Sequence, residues 1–260
     1  MNKIHHGKIP TWYDKDSHVY DIINENTDNA KVTNKTVEKL LKKYKVNTVF
    51  DMTCGTGSQV FYLHKRGYKV TGSDISKGML NIAKKKAKQE KINVDFYRGN
   101  IRNIHLGKFD AVISIFNAIG HLSRLDFEIA IRNIRKNLNQ KGIYIFDIFN
   151  LNYYLQKDNI TKFTIDWLKS KNNLQYREVQ HSVIDQNGVL ISYTTNYIQK
   201  NLKILKTSKT IITLQLYTLN KLKKILEKNG FKIISQCGID GKNFFDNKTE
   251  RMVIVARKTS

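Results

Sequence analysis

Val49-Phe50-Asp51-Met52-Thr53-Cys54-Gly55-Thr56-Gly57-Ser58 is the stretch whose reading decides the fold. Apolar residues run into an acid, then a tight glycine turn, then an amphipathic segment over residues 58–65. A parallel sheet presents the carboxyl end of its first strand to a nucleotide-like ligand in this way. Gly55 and Gly57 carry no Cβ, so the turn can take unusual φ and its backbone can approach a ligand closely. Asp74 stands just beyond the next apolar strand, residues 68–72, where an acid can bind both hydroxyls of a ribose.

The turn is not the dinucleotide fingerprint G-x-G-x-x-G, because Val60 occupies the position of the third glycine. No Walker lysine follows either. An acid before the glycines repels a pyrophosphate and attracts an ammonium group. The expected ligand has a ribose, no phosphate and a positively charged amino-acid end. S-adenosylmethionine has all three properties.

Working outward, residues 32–44 place Val37, Leu40, Leu41 and Tyr44 at helical spacing with lysines opposite. Strands are expected at 46–51, 68–72, 94–97, 111–116 and 143–149, and a helix at 126–139 through Phe127, Ala130, Ile131, Ile134 and Leu138. Ser76 is placed to cap a helix that buries Met79, Ile82, Ala83 and Ala87. Repeated strand and helix units of this length predict an α/β fold, a Rossmann-like doubly wound sheet. The period then changes. Residues 174–185, 189–199 and 204–217 alternate, with Gln186-Asn187-Gly188 as a hairpin turn expected to be type I′. An inserted antiparallel sheet therefore follows the fifth strand. Thr218 is placed to cap a last helix over 219–229, Gly230 to stop it, and strands at 231–237 and 252–256 bring the main sheet to seven. The expected units are a cap segment (1–31), the ligand-binding core (32–150), the inserted sheet (151–217) and the rest of the core (218–260).

From Asp51 to Asp147, and again near Leu216, the chain resembles the class I S-adenosylmethionine-dependent methyltransferases, whose first motif is roughly D/E-x-x-C/G-G-x-G. The resemblance implies that Asp51 and the loop Thr53, Cys54, Gly55, Thr56, Gly57 lie near the methionine end, with Asp74 on the ribose. It implies Ile75 and Met79 flanking the adenine, and Gly99, Asn100 and Ile101 as the third motif, with Asn100 accepting from the adenine amino group. Members commonly have Gly-Asp there, so this contact is neutral.

The fourth motif, Ser114-Ile115-Phe116-Asn117-Ala118-Ile119-Gly120-His121-Leu122, lacks the Pro-Pro box usual in nucleic-acid and glutamine amino methyltransferases. F-x-x-I-G-H-L resembles the N,N-dimethyltransferases of nucleotide-linked amino sugars. So do Trp12-Tyr13-Asp14 and residues 19–23, a cap whose Tyr13 and Tyr20 would line the cofactor and acceptor, and residues 213–218. Glycine and sarcosine N-methyltransferases share the layout. Phe116 and Asn117 complete the expected cofactor shell. His121 is the expected general base or acceptor-orienting group, and its other reading is a capping or packing residue. Tyr13 is expected to close over the methyl group or to pin the N-terminal segment.

A net charge of +23 on 260 residues is the electrostatic footprint of a polyanion binder. Yet the lysines are dispersed over polar helix faces, and richness in Asn and Ile with a single Pro matches the residue bias of an AT-rich genome. A small-molecule amine acceptor is expected, with O-methylation, RNA methylation or a non-catalytic partner role as alternatives. Two cysteines make no disulfide framework, no secretory h-region or membrane span is evident, and a cytoplasmic protein is expected. Cys54 reads as a small loop residue. No metal site is expected, because His5 and His6 have no third ligand at a usual spacing. His181 faces either out of the inserted sheet or into the acceptor pocket. The expected assembly is a monomer or a homodimer through that sheet.

Overall fold

A computed structural model describes residues 12–15, 17, 20, 28–156, 164–171 and 174–259; His5 and His6 lie outside them. In chain order the first strands are β1 (Thr48–Asp51), β2 (Lys69–Asp74), β3 (Phe96–Arg98), β4 (Phe109–Ser114) and β5 (Leu138–Phe149). Next come β6 (Thr164–Lys171), β7 (Leu174–Ile184), β8 (Val189–Lys200) and β9 (Lys203–Gln215), then β10 (Phe231–Gly238) and β11 (Arg251–Lys258). Seven of them form one sheet in the order β10-β11-β5-β4-β1-β2-β3. Strands β1 to β5 pair in parallel, whereas β11 runs antiparallel to both β5 and β10.

Helices cover both faces of this sheet. They are α1 (Trp12–Lys15), α2 (Asp28–Lys43), α3 (Ser58–His64), α4 (Lys77–Gln89), α5 (Arg124–Lys136), α6 (Leu151–Tyr154) and α7 (Leu219–Lys228). Successive strand residues point to opposite faces, so the central strands must be apolar at every position. Val49, Ala111 and Ile145 pack with Leu41, Val60 and Leu80 on one side. Phe50, Val112 and Phe146 pack with Phe127, Ile134 and Leu222 on the other. The expected caps form, since Ser76 Oγ accepts from Met79 N at 3.1 Å and Thr218 Oγ1 from Lys221 N at 3.2 Å.

Several boundaries shift. Helix α2 begins at Asp28, so the boundary expected after residue 31 falls inside it. Strand β5 starts at Leu138, taking over residues expected to close the preceding helix. The inserted sheet has four strands, β6-β7-β8-β9, one more than the sequence suggested, because β6 (Thr-Ile-Asp-Trp-Leu-Lys-Ser-Lys) does not alternate cleanly. Its hairpin turn is not type I′. Gly188 has φ 76, but Asn187 is not among the residues with positive φ. Asp185 accepts from Gly188 N through its carbonyl, and its Oδ1 accepts from Asn187 N and Val189 N, both at 2.8 Å. That is a type I turn closed by a left-handed glycine, locked by the aspartate side chain.

The insertion leaves and returns at one place. Leu151 N donates to Tyr217 O and Tyr217 N to Phe149 O, and β9 packs against the 3-10 turn Ala118–His121. His181 resolves to the exposed side of the inserted sheet, stacked on Tyr193 with ring centroids 6.1 Å apart.

Candidate active site

A cavity of about 570 Å³ opens along the carboxyl edge of the main sheet. Each wall follows a strand end: Asp51 to Thr56 after β1, Asp74 to Ser76 and Met79 after β2, Gly99 to Arg102 after β3, and Ile115, Phe116, Ala118, His121 and Leu122 after β4. Arg251, the first residue of the antiparallel β11, reaches the same edge from the other direction. Tyr13 and Tyr20 supply a further wall.

The two acids hold the β1–β2 side. Asp51 is buried, and its Oδ1 accepts from Thr53 N at 3.1 Å. Burial pushes its carboxyl up to about 7, and the nearby Asp74 charge adds to the rise. Asp74 spends one oxygen on Ser76 N and the other on Gly55 N, both at 2.9 Å. Its carboxyl is also raised by burial, against the pull of those donors. A carboxylate oxygen has two lone pairs, so both Asp74 oxygens can still accept from a ligand hydroxyl. Burial raises the Cys54 thiol well above its usual range, which keeps it protonated and unreactive in the loop.

The N-terminal segment is strapped across this side. Asp14 Oδ1 accepts from Ser76 Oγ at 2.7 Å and Gly78 N at 3.0 Å, and these donors hold its carboxyl below the usual range. A Cβ at Gly78 would lie 2.5 Å from Asp14 O, so the strap fits only over a glycine. The strap carries Tyr13, whose hydroxyl lies 3.0 Å from His121 Nε2 with the two rings edge to face. Burial raises the Tyr13 phenol far above its usual range, with Tyr20 and Asp74 adding to it. A protonated phenol is thus set against the Nε2 edge of the imidazole across 108 residues of sequence.

The turn that aims His121 is strained. Phe116 and Asn117 both take left-handed backbone, φ 64 and 57, which is costly for a bulky aromatic. Asp147, wholly buried in β5, holds them there: its Oδ2 accepts from Asn117 N at 2.9 Å and Arg251 Nε at 2.6 Å. Asn117 Oδ1 in turn accepts from Phe149 N at 3.2 Å. The Arg251 guanidinium lies 5.9 Å from the Phe116 ring centroid and 5.7 Å from that of Phe149.

Most of the expected shell meets here: Tyr13, Tyr20, Asp51, Thr53, Cys54, Gly55, Thr56, Asp74, Ile75, Met79, Gly99, Asn100, Ile101, Phe116 and His121 all line the cavity. Three expectations need correction. Asn117 does not line it; its side chain is spent on the β5 backbone. Gly57 does not line it either, and its φ of 90 and the 2.6 Å approach of Phe61 to a Cβ there give it a packing role. Asn100 lines the cavity, but its Oδ1 already accepts from Arg102 N and Nε at 3.0 and 3.1 Å. Both lone pairs are taken, so the expected acceptor is already spent on Arg102.

Among the polar lining residues, sequence reading missed Ser58, Gln59, Ser76, Arg102 and Arg251. Gln59 was within reach as the residue two beyond Gly57. Arg251 carried no local signal, because only the antiparallel turn of the chain brings it to this edge. Among the described residues no three His, Cys, Asp or Glu side chains form a metal cluster, and no helix is long and apolar enough to cross a membrane.

Residues 49–142 match the family model described as methyltransferase domain. That stretch is similar to a methyltransferase domain. A protein of Geobacillus sp. strain WCH70, provisionally named as a methyltransferase, is 30% identical over 53% of this chain and 54% of its own length. This chain thus spans about half the length of that curated relative. The dTDP-3-amino-3,4,6-trideoxy-α-D-glucopyranose N,N-dimethyltransferase of Streptomyces venezuelae is 26% identical over 39% of this chain and 42% of its own. Among solved structures, an S-adenosylmethionine-dependent methyltransferase from Clostridium acetobutylicum has a TM-score of 0.78 at 17% identity, covering 95% of this chain and 99% of that one. An S-adenosylmethionine-bound aminopentose methyltransferase from Micromonospora echinaspora has a TM-score of 0.71 at 17% identity, covering 98% and 100%. The matched stretch thus sits in a chain whose fold is similar, over nearly its whole length, to those of these two solved structures.

Proposed function

We propose that this protein binds S-adenosylmethionine in the cavity and methylates an amine of a small-molecule acceptor, with a nucleotide-linked amino sugar as the favoured class. The carrying observation is the Tyr13–His121 pair at 3.0 Å, in the same cavity as Asp51 and Asp74. The cavity suits the cofactor. Asp51, buried beside the loop, is matched to an ammonium, and the spare lone pairs of Asp74 to two ribose hydroxyls. Ile75 and Met79 offer apolar walls to a base.

When bound, the cofactor supplies a methyl group on a sulfonium, an electrophile that needs only an aligned lone pair. Orientation can contribute roughly 7–11 kcal/mol to such a displacement. The Phe116–Asn117 turn, held by Asp147, fixes the direction of the 3-10 turn and hence of His121. With Nε2–H donating to the Tyr13 oxygen, Nδ1 keeps the imidazole lone pair that accepts the proton of an incoming ammonium, and the phenol holds the ring in orientation. Acid–base help of this kind is worth about 10²–10⁴-fold. The amine reading is supported by the named activities of the Streptomyces and Micromonospora proteins, which act on amino sugars. Two free buried thiols, Cys54 and Cys237, suit the reducing cytoplasm proposed as its location.

The net charge of +23 favours a second reading, methylation of RNA. Incubating the protein and cell extract with methyl-labelled S-adenosylmethionine, then separating small metabolites from RNA, tests both. Label on a small amine that disappears with His121→Ala is the expected result. Label in RNA overturns it in favour of the second reading, and label on an oxygen replaces the amine by a hydroxyl.

A further inference from the structure

Gln59 is the least comfortable polar residue in the cavity wall. It sits one residue into α3, directly after the glycine loop, and only 2% of its surface is exposed. Both its amide atoms, Nε2 and Oε1, are buried without a hydrogen-bond partner, and so is Thr53 Oγ1 in the same loop. A buried unsatisfied polar group is costly, and a leucine would fill the same space without that penalty. The residue also lines the cavity, on the wall built by Asp51 and the β1–α3 connection. Asp74, Ile75 and Met79, given to the ribose and base in the proposed function, line the same cavity.

We infer that Gln59, with Thr53 beside it, is the specificity-determining reader of the cofactor's α-amino-acid end; this rests on the proposed function above. An α-amino acid presents a carboxylate, which only accepts, next to an ammonium, which only donates. A carboxamide is the one neutral side chain that offers a donor and an acceptor side by side. Nε2 and the Thr53 hydroxyl donate to the carboxylate, while Oε1 joins Asp51 in accepting from the ammonium. Asp51 alone attracts any cation. The carboxamide adds discrimination for the intact amino acid, because a ligand lacking it leaves the amide unsatisfied.

The test compares S-adenosylhomocysteine with 5′-methylthioadenosine, which keeps the base, ribose and sulfur but lacks the amino-acid end. Calorimetric titration of the wild type and of Gln59→Leu is expected to show S-adenosylhomocysteine binding weakened about 10–100-fold. Methylthioadenosine binding stays within about twofold, which also shows the variant to be folded. Gln59→Glu, which sets an anion against the carboxylate, is expected to lose still more for S-adenosylhomocysteine and to keep methylthioadenosine. Equal loss of both ligands in Gln59→Leu, or no loss of either, overturns the inference. A wild type that binds methylthioadenosine but not S-adenosylhomocysteine overturns it too. Binding of neither ligand by the wild type removes the proposed function and the inference with it.

Discussion

The two sides of the cavity are built on different plans. On the β1–β2 side the ligand-facing groups come from short connections, residues 51–59 and 74–79, and Asp51, Gly55 and Asp74 are placed by neighbouring backbone. On the β4–β5 side the groups meet from far apart in sequence: Tyr13 with His121, and Asp147 with Asn117 and Arg251. The buried acids show the contrast most clearly. Asp51 has a single backbone donor and a raised carboxyl, as suits a site that waits for a cation. Asp147 is already paired with a guanidinium and serves the shape of the turn. One side is prepared to bind charge, and the other to hold His121 in place.

If that division holds, single substitutions separate by side. The largest effect is expected from Asp147→Ala, which leaves Arg251 without its buried partner and releases the strained turn. Such a loss costs about 3–5 kcal/mol of stability, read as a lowered urea midpoint. Asp74→Ala is expected to weaken S-adenosylhomocysteine binding by about 100-fold, since two hydrogen bonds to a charged acceptor are lost. His121→Ala should lower turnover by about 10²–10⁴-fold while leaving the fold intact, as read by single-turnover methyl transfer. Tyr13→Phe, which removes only the hydroxyl, should cost about tenfold or less.

The acids also set a pH dependence. Asp51 ionises only as pH rises through about 7, and only its ionised form pairs with an ammonium. Cofactor affinity should therefore fall about tenfold per pH unit below 7 and level off above it, with a proton released on binding. Asp51→Asn should flatten that profile at the weaker level. A profile that is flat in the wild type contradicts the role given to Asp51.

Legibility in the sequence followed the same division. Residues 49–58 and Asp74 could be read because a strand, a glycine turn and a second strand end are local, and the backbone constraints that fix them are written within a few positions. The doubly wound sheet was legible because buried parallel strands and amphipathic helices have distinct periods. Asn100 and Asn117 were placed in the right loops, but their bonding was not, since a side-chain amide settles on whichever partner the tertiary structure brings. Arg251 was invisible because its partner, Asp147, lies 104 residues away. The turn at Gly188 was mistyped because Asp185 supplies two hydrogen bonds that stabilise a type I turn, a contribution outside the Asn-Gly pair itself.

Calorimetric titration of S-adenosylhomocysteine into the wild type, Asp74→Ala and His121→Ala tests the division most directly. It predicts micromolar-range binding by the wild type (about −8 kcal/mol), unchanged within about twofold in His121→Ala and about 100-fold weaker in Asp74→Ala. Equal weakening in both variants, or full affinity in Asp74→Ala, would contradict it.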